Sequence, residues 1–290
     1  NEDSYLVLEQ KGVFAVADGV GGAQAGDVAS QMAMEILGEA FVNFSDTVDP
    51  EDIMRTAIER ANQAINQMAG DLPQLASMAT TIAAVHIAGN IATIAHVGDS
   101  RVYRIDTEGF LHRETNDHSV VEEEVRAGRM TPEQAQNHPS RNVISRAVGA
   151  ESTVDVDIKT IMIESGTVFL LCSDGITRHI GDEELGRLLT TGMQPELICE
   201  HMKELCYERG AEDNLTAVVV KTLVPEFTQQ AVPPAVATNP VQQFEAETEE
   251  ETIATARSPF DETVEQFESP LEHGTIEVPA ASEPVETQFS

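Results

Sequence analysis

Two wholly apolar runs of strand length each lead into an acidic turn. Val13-Phe14-Ala15-Val16-Ala17 runs into Asp18-Gly19, and Val168-Phe169-Leu170-Leu171-Cys172 passes through Ser173 to Asp174-Gly175. Runs without polar alternation mark strands buried on both faces. A third junction, Asp213-Asn214, opens the run Leu215 to Val220. In an antiparallel sheet the end of one strand and the start of its neighbour share an edge, so Asp18, Asp174 and Asp213 are expected to converge. Any one Asp-Gly is an ordinary turn signal; three acids at such junctions are not. Carboxylates crowded at the rim of an apolar core repel one another, and either take up protons or bind cations. With oxygen donors alone, and no His or Cys at the same junctions, the expected ions are Mg²⁺ or Mn²⁺.

Glycine usage fits this reading. Gly19, Gly21 and Gly22 fall within four positions directly after a buried strand, so the backbone there must approach something closely, and a Gly19 carbonyl offered to a cation would account for it. A phosphate-cradling loop of the Lys-containing type is excluded, because no Gly-Lys-Ser/Thr follows. A second constellation joins Val97-Gly98-Asp99-Ser100-Arg101 to Thr115-Asn116-Asp117-His118-Ser119. Asp117 is a further candidate ligand. Asp99 is expected to organise Ser100 and Arg101 rather than to touch metal, and His118 and His138 read as hydrogen-bonded or surface histidines. Cys172 and Arg178 also match the cysteine, five residues, arginine spacing of thiolate phosphatases. Asp174 inside that loop would raise the thiol pKa, so Cys172 reads as an inert buried thiol.

Between these sites the pattern alternates. Helices are expected over the stretch after Gly26 that contains Ile36, Phe41 and Phe44, over Ile53 to Met68, over Asp182 to Thr191 and over Pro195 to Arg209. Asp49 and Pro50 supply a start signal for the second of these. Thr80 to Ala88 and Ile91 to Val97 flank Gly89-Asn90 as a hairpin, and Thr216 to Thr222 reads as a last strand. Two helices before the hairpin and two before the last strand predict an α+β fold, a four-layer α-β-β-α sandwich of two antiparallel sheets covered by helix pairs.

At 290 residues the chain holds two domains, or one large domain with an appendage. The net charge is -33, spread on both sides of Val224, and such a field argues against binding to nucleic acid or anionic membranes. Residues 225–290 are proline-dotted and acidic, with Glu247, Glu249, Glu250 and Glu251 clustered, and are expected to be a disordered tail. Cys172, Cys199 and Cys206 cannot all pair, which points to reduced thiols in a cytoplasmic setting. No leader or spanning stretch is read, and the absence of Met before Asn1 leads to the expectation of a truncated or processed N-terminus.

Taken in order, Asn1-Glu2-Asp3-Ser4, Phe14 to Gly22, Ala79-Thr80-Thr81, His96 to Arg101, Cys172 to Gly175 and Glu212-Asp213-Asn214 closely resemble the metal-dependent type 2C serine/threonine protein phosphatases (the PPM family), in their bacterial form. Val20 stands where animal members carry a histidine, so that residue's general-acid role is not available here. The resemblance runs from Asn1 to about Thr222 and implies a catalytic domain over 1–224 with a mobile flap over about 120–147. It implies two core Mn²⁺ or Mg²⁺ ions on Asp18, Gly19, Asp174 and Asp213, a third on Asp117, and Glu2 and Asp3 acting through water or hydrogen bonds behind them. The implied reaction is hydrolysis of phosphoserine and phosphothreonine monoesters by a water or hydroxide shared between the ions. A monomer acting on phosphorylated proteins, among them targets of a serine/threonine kinase and the kinase itself, follows from the same resemblance. The alternatives are a weakly catalytic phosphoprotein-binding pseudo-phosphatase and a metal-dependent phosphodiesterase. The family also carries a phosphate-capturing arginine three residues before the position of Asn1. Without it, Glu2 and Asp3 are expected at a frayed end, with Arg141 or Arg146 of the flap as substitutes.

Overall fold

Alternating inward and outward residues on β2 (Val13–Val20) set the layering. Val13, Ala15 and Ala17 join one core with helices α1 (Ala23–Asn43) and α2 (Pro50–Asp71), while Phe14 and Val16 face a second core that contains Phe169, Leu171 and Val218. The computed structural model describes residues 1–43 and 48–222; Phe44, the boundary at Val224 and the acidic tail lie outside the described residues. One antiparallel sheet has the order β1 (Asp3–Leu8), β2, β4 (Ile82–Ala88), β5 (Ile91–Val97), β8 (Asp157–Met162), with β3 (Ala79–Thr80) paired to β2. The other has the order β10 (Ala217–Lys221), β9 (Val168–Cys172), β6 (Arg101–Ile105), β7 (Leu111–Arg113). A third core lies under the second sheet, where Tyr103, Leu170 and Cys172 meet Leu185 of α6 (Asp182–Leu189) and Met202 of α7 (Pro195–Glu208). Helices, sheet, sheet and helices give the four layers expected from the sequence.

The local signals explain most boundaries. Asp49 accepts a hydrogen bond from Glu51 N–H at 3.0 Å, with Pro50 in the first turn of α2. Gly89, at φ +61°, closes the β4–β5 hairpin, in which Ala88 faces Ile91. Three expectations need correction. The stretch expected as one strand from Thr80 splits at Thr81, because Thr81 N–H turns away to the Asp18 carbonyl at 2.8 Å. Helix α1 starts at Ala23, ahead of Gly26, and Gly26 N–H already bonds the Gly22 carbonyl at 2.9 Å. The chain start is not frayed: β1 pairs with β2 from Asp3↔Asp18 to Leu8↔Val13, and Asp3 is buried.

The segment expected as a flap folds into α3 (Val120–Arg126) and α4 (Pro132–Gln136). Ser119 caps α3, and Thr131 with Gln134 forms a reciprocal capping box on α4. Its base is stitched shut by a bridge between Ser119 and Ile144, by Val120 N–H to the Val143 carbonyl (3.0 Å) and by Ser145 N–H to the His118 carbonyl (2.8 Å).

Candidate metal centre

Pairing brings Asp213 beside Asp174 in the second sheet and Asp3 opposite Asp18 in the first, and the facing of the two sheets brings the two groups of acids together. Ala217 faces Cys172 in the β10–β9 register, which brings the Asp213 loop beside Asp174, the first residue of the short helix α5 (Asp174–Thr177). Packing there is close: a Cβ on Gly175 would sit 2.1 Å from the Asn214 carbonyl oxygen. On the other sheet Asp3 lies opposite Asp18. Asp18 is fixed through its backbone: its N–H donates to Thr81 Oγ1 (2.9 Å), its carbonyl accepts from Thr80 Oγ1 (2.9 Å), and Thr81 Oγ1 is 2.7 Å from Ser100 Oγ. The two sheets are tied at this edge by Ser173, whose Oγ donates to Asp3 Oδ2 at 2.8 Å and accepts from Thr216 N–H at 3.2 Å.

Gly19 sits where side chains are impossible. Its N–H donates to the Glu2 carbonyl at 3.0 Å, and a Cβ there would lie 2.1 Å from the Gly26 carbonyl oxygen and 2.6 Å from that of Glu2. Glu2 thus contributes its backbone to the site through Gly19.

Crowding shows in the protonation equilibria. Burial, then the charges of Asp3, Asp174, Asp99 and Asp213, pushes Asp18 up to about 9. Burial, then Asp99, pushes Asp174 up to about 7 against the opposing pull of Arg178. Asp99 rises to about 6 through burial and Asp117, and burial also raises Asp3. Asp3 Oδ1 and Asp99 Oδ1 are buried without a hydrogen-bond partner. Unpartnered buried oxygens among mutually repelling carboxylates are the donor set that a divalent cation satisfies, so these residues fit Mn²⁺ or Mg²⁺.

The Asp99 carboxylate, expected to organise Ser100 and Arg101, is buried and is also coupled by charge to Asp117 and Asp174. Arg178, whose only signal in the sequence is its spacing from Cys172, ion-pairs with both Asp174 and Asp213. Cys172 itself is fully buried with its thiol pushed up to about 12 by desolvation, so it is no nucleophile.

Asp117 lies at the edge of the cluster, held by Arg101 (Nε to Oδ1 2.9 Å, Nη2 to Oδ2 2.7 Å) and by Arg113, whose Nη2 is 2.6 Å from Oδ1. His138 accepts from Ser140 N–H at 3.1 Å. Arg146 is pinned, with Nη1 2.8 Å from Asp157 Oδ1 and 3.0 Å from the Asp155 carbonyl. His96, His118 and Asp157 bring three ligand atoms within 4.8 Å of one another, yet the hydrogen bonds oppose metal binding there. His118 Nδ1 accepts from Gly98 N–H at 3.1 Å, so in the neutral ring Nε2 carries the proton and faces Asp157 Oδ2 at 3.3 Å. Burial and the neighbouring His96 hold His118 down at about 4, which keeps it neutral.

The comparisons with known proteins agree with this geometry. The family model described as Protein phosphatase 2C matches residues 1–223. The serine/threonine phosphatase stp of Listeria monocytogenes is 35% identical over 227 residues, covering 76% of this chain and 90% of its own. The solved serine/threonine phosphatase PstP/Ppp of Mycobacterium tuberculosis superposes with a TM-score of 0.72 at 33% identity, over 77% of this chain and 93% of that one. A structure of the PstP catalytic domain in complex with two manganese ions gives a TM-score of 0.68 at 32% identity, over 77% and 92% of the two chains. Together with the four-layer fold and the acid cluster between its sheets, these matches place the chain in the protein phosphatase 2C family of serine/threonine phosphatases.

Proposed function

We propose that Asp18, the Gly19 carbonyl, Asp174 and Asp213 hold two Mn²⁺ or Mg²⁺ ions, with Asp3 and Asp99 orienting water around them and Asp117 serving a third. The chain is a metal-dependent protein serine/threonine phosphatase acting on phosphoproteins. The observation that carries the site assignment is the convergence of Asp3, Asp18, Asp99, Asp174 and Asp213, with two buried carboxylate oxygens unpartnered. When bound, such a pair of ions polarises a phosphate monoester and makes a water acidic enough to attack near neutral pH.

The protein's own residues do the rest. Thr80 and Thr81 fix the Asp18 backbone, and Ser100 braces Thr81. Ser173 aims Asp3 and couples it to the second sheet through Thr216. Donors placed this way need little reorganisation during reaction, which is where most of the rate acceleration of monoester hydrolysis has to come from. Cys172, buried and with its thiol pushed up to about 12, supplies no nucleophile for a covalent intermediate. The filled acid positions disfavour a pseudo-phosphatase, and the charge of -33 disfavours a nuclease.

Residues 1–224 form the catalytic unit in this reading, with α3 and α4 as its flap and the acidic segment 225–290 outside it. The protein works as a monomer in the cytoplasm on targets of a serine/threonine kinase, the kinase included. No helix among the described residues is long and apolar enough to cross a membrane. The test is Mn²⁺-dependent phosphate release from a phosphothreonine peptide. Activity should vanish with chelator, survive iodoacetamide and be absent on a bis-ester. Chelator-insensitive, alkylation-sensitive turnover would overturn the reading in favour of Cys172.

A further inference from the structure

Arg178 ends the short helix α5 four residues after Asp174, and that spacing brings its side chain back over the acid. Its guanidinium spans two carboxylates that the chain brings together from distant segments: Nη2 donates to Asp174 Oδ2 and Nη1 to Asp213 Oδ2. Asp213 Oδ1 already accepts from Asn214 N–H at 2.9 Å. Both oxygens of Asp213 therefore have partners, and the space between Asp174 and Asp213 is filled by a planar cation. Among the described residues the guanidinium makes its hydrogen bonds to these two acids alone. Its side chain is 35% exposed, so rotation outward carries the charge into water at little cost.

We propose that Arg178 is a built-in competitor for the metal ions: it neutralises the Asp174–Asp213 pair, must swing out when the ions bind, and so sets the metal concentration at which the site fills. The inference rests on Asp174 and Asp213 being ligands, as argued above. The logic is mass action. A ligand that binds only the conformer with Arg178 displaced has its apparent affinity reduced by the fraction of molecules in that conformer. A guanidinium and a divalent ion cannot both stand between the same oxygens. The arrangement also keeps the carboxylates from repelling one another when divalent cation is scarce.

The predicted signature is a pair of opposite effects. In the full chain, Arg178→Gln is expected to bind Mn²⁺ at least ~10-fold more tightly than wild type by isothermal titration calorimetry, with free Mn²⁺ checked by electron paramagnetic resonance. The same variant is expected to melt at a lower temperature in excess chelator, and the gap is expected to close with saturating Mn²⁺. Arg178→Lys, a point charge without the two-pronged fork, should fall between them, and it carries the test if the Gln variant does not fold in chelator. A merely structural arginine would weaken both stability and metal affinity. Unchanged or weaker Mn²⁺ binding by the variants, with wild type binding normally, overturns the proposal alone. Wild type that binds no Mn²⁺ overturns the metal assignment and this inference with it, and Asp174→Asn in the same titration supplies the reference for a site with a ligand lost.

Discussion

Asp3 and Asp18 stand directly opposite each other across β1 and β2, two carboxylates in one cross-strand pair at the buried edge of the first sheet. Two like charges in that relation destabilise a sheet, and burial with Asp3 beside it pushes Asp18 up to about 9, so at neutral pH the fold has to hold a proton there, at a cost in stability, until a cation takes its place. Asp18→Asn is therefore expected to raise the melting temperature in chelator by at least roughly 2–4 °C, the equivalent of about 1 kcal/mol in a domain of this size. It is also expected to cut turnover on a phosphothreonine peptide by ~10³-fold or more, because a ligand is lost. A variant destabilised in chelator would show that the proton on Asp18 costs the fold nothing.

The raised carboxyl groups give the pH dependence a definite sign. Asp99, Asp174 and Asp18 titrate at about 6, 7 and 9 in the fold against 3.8 when unperturbed. These groups hold more protons in the folded than in the unfolded form across that window, so in chelator their contribution to stability is full below about pH 4 and is lost as pH rises towards 9. Mn²⁺ binding must expel these protons, so its apparent affinity climbs with pH between 6 and 9, by up to ~10-fold per unit for each proton released. Calorimetry in buffers of different ionisation enthalpy counts them; zero protons released at pH 7 would contradict the assignment.

Ser173 offers a test of the tie between the sheets. Its hydroxyl serves both Asp3 and Thr216 N–H, and Ala leaves two buried groups unsatisfied at a cost of about 1–3 kcal/mol. Ser173→Ala is expected to lower stability by that amount and Mn²⁺ affinity by roughly 10-fold, as loss of a residue that orients ligands does. Urea unfolding and metal titration measure the two separately.

Much of this site was legible in the sequence because buried strands announce themselves as apolar runs and their ends carried the acids. The rule that neighbouring antiparallel strands share an edge holds for Asp174 and Asp213, as Cys172↔Ala217 shows; Asp18 ends a strand of the other sheet, and its approach to them depends on how the two sheets stack. Strand β1 was harder to see, since Tyr5 and Val7 are exposed while Leu6 and Leu8 pack inward, so its six residues carry no polar alternation. Strand β8, from Asp157 to Met162, is an edge with only partial burial and gave no apolar run. The role of Arg178 was not legible because it depends on the loop before β10 bringing Asp213 beside Asp174, a juxtaposition that no periodicity encodes.

Asp117 is the residue whose two duties can be separated. It neutralises Arg101 and Arg113 at the base of the flap, and it is the proposed ligand of a third ion. Asp117→Asn keeps the shape while weakening the ion pairs, and a drop of about 1–3 kcal/mol in stability is expected from charge-assisted bonds made neutral. Calorimetry should still show the two core ions, with a reduced turnover. Unchanged kinetics would confine Asp117 to bracing the flap.

Two helix glycines make the sharpest comparison. On propensity alone, Ala in place of Gly inside a helix stabilises by about 1 kcal/mol. At Gly70, in the last turn of α2, a Cβ would meet nothing within 4 Å, so Gly70→Ala is expected to be neutral or stabilising by up to that amount. At Gly26, in the first turns of α1, the same Cβ would lie 2.7 Å from the Gly19 carbonyl oxygen and 2.8 Å from its carbon. Those atoms are backbone, and Gly19 is boxed in by Glu2 and Gly26, so the collision has no flexible side chain to absorb it. Gly26→Ala is expected to cost about 2 kcal/mol or more, in the range of overpacked cores. The same shift moves the carbonyl proposed to face the ions, so Mn²⁺ affinity should fall by ~10-fold or more in the protein that remains folded. Urea unfolding of both variants, followed by Mn²⁺ titration, separates the outcomes. If Gly26→Ala behaves like Gly70→Ala in both measurements, the contact between α1 and the Gly19 turn does not position the site.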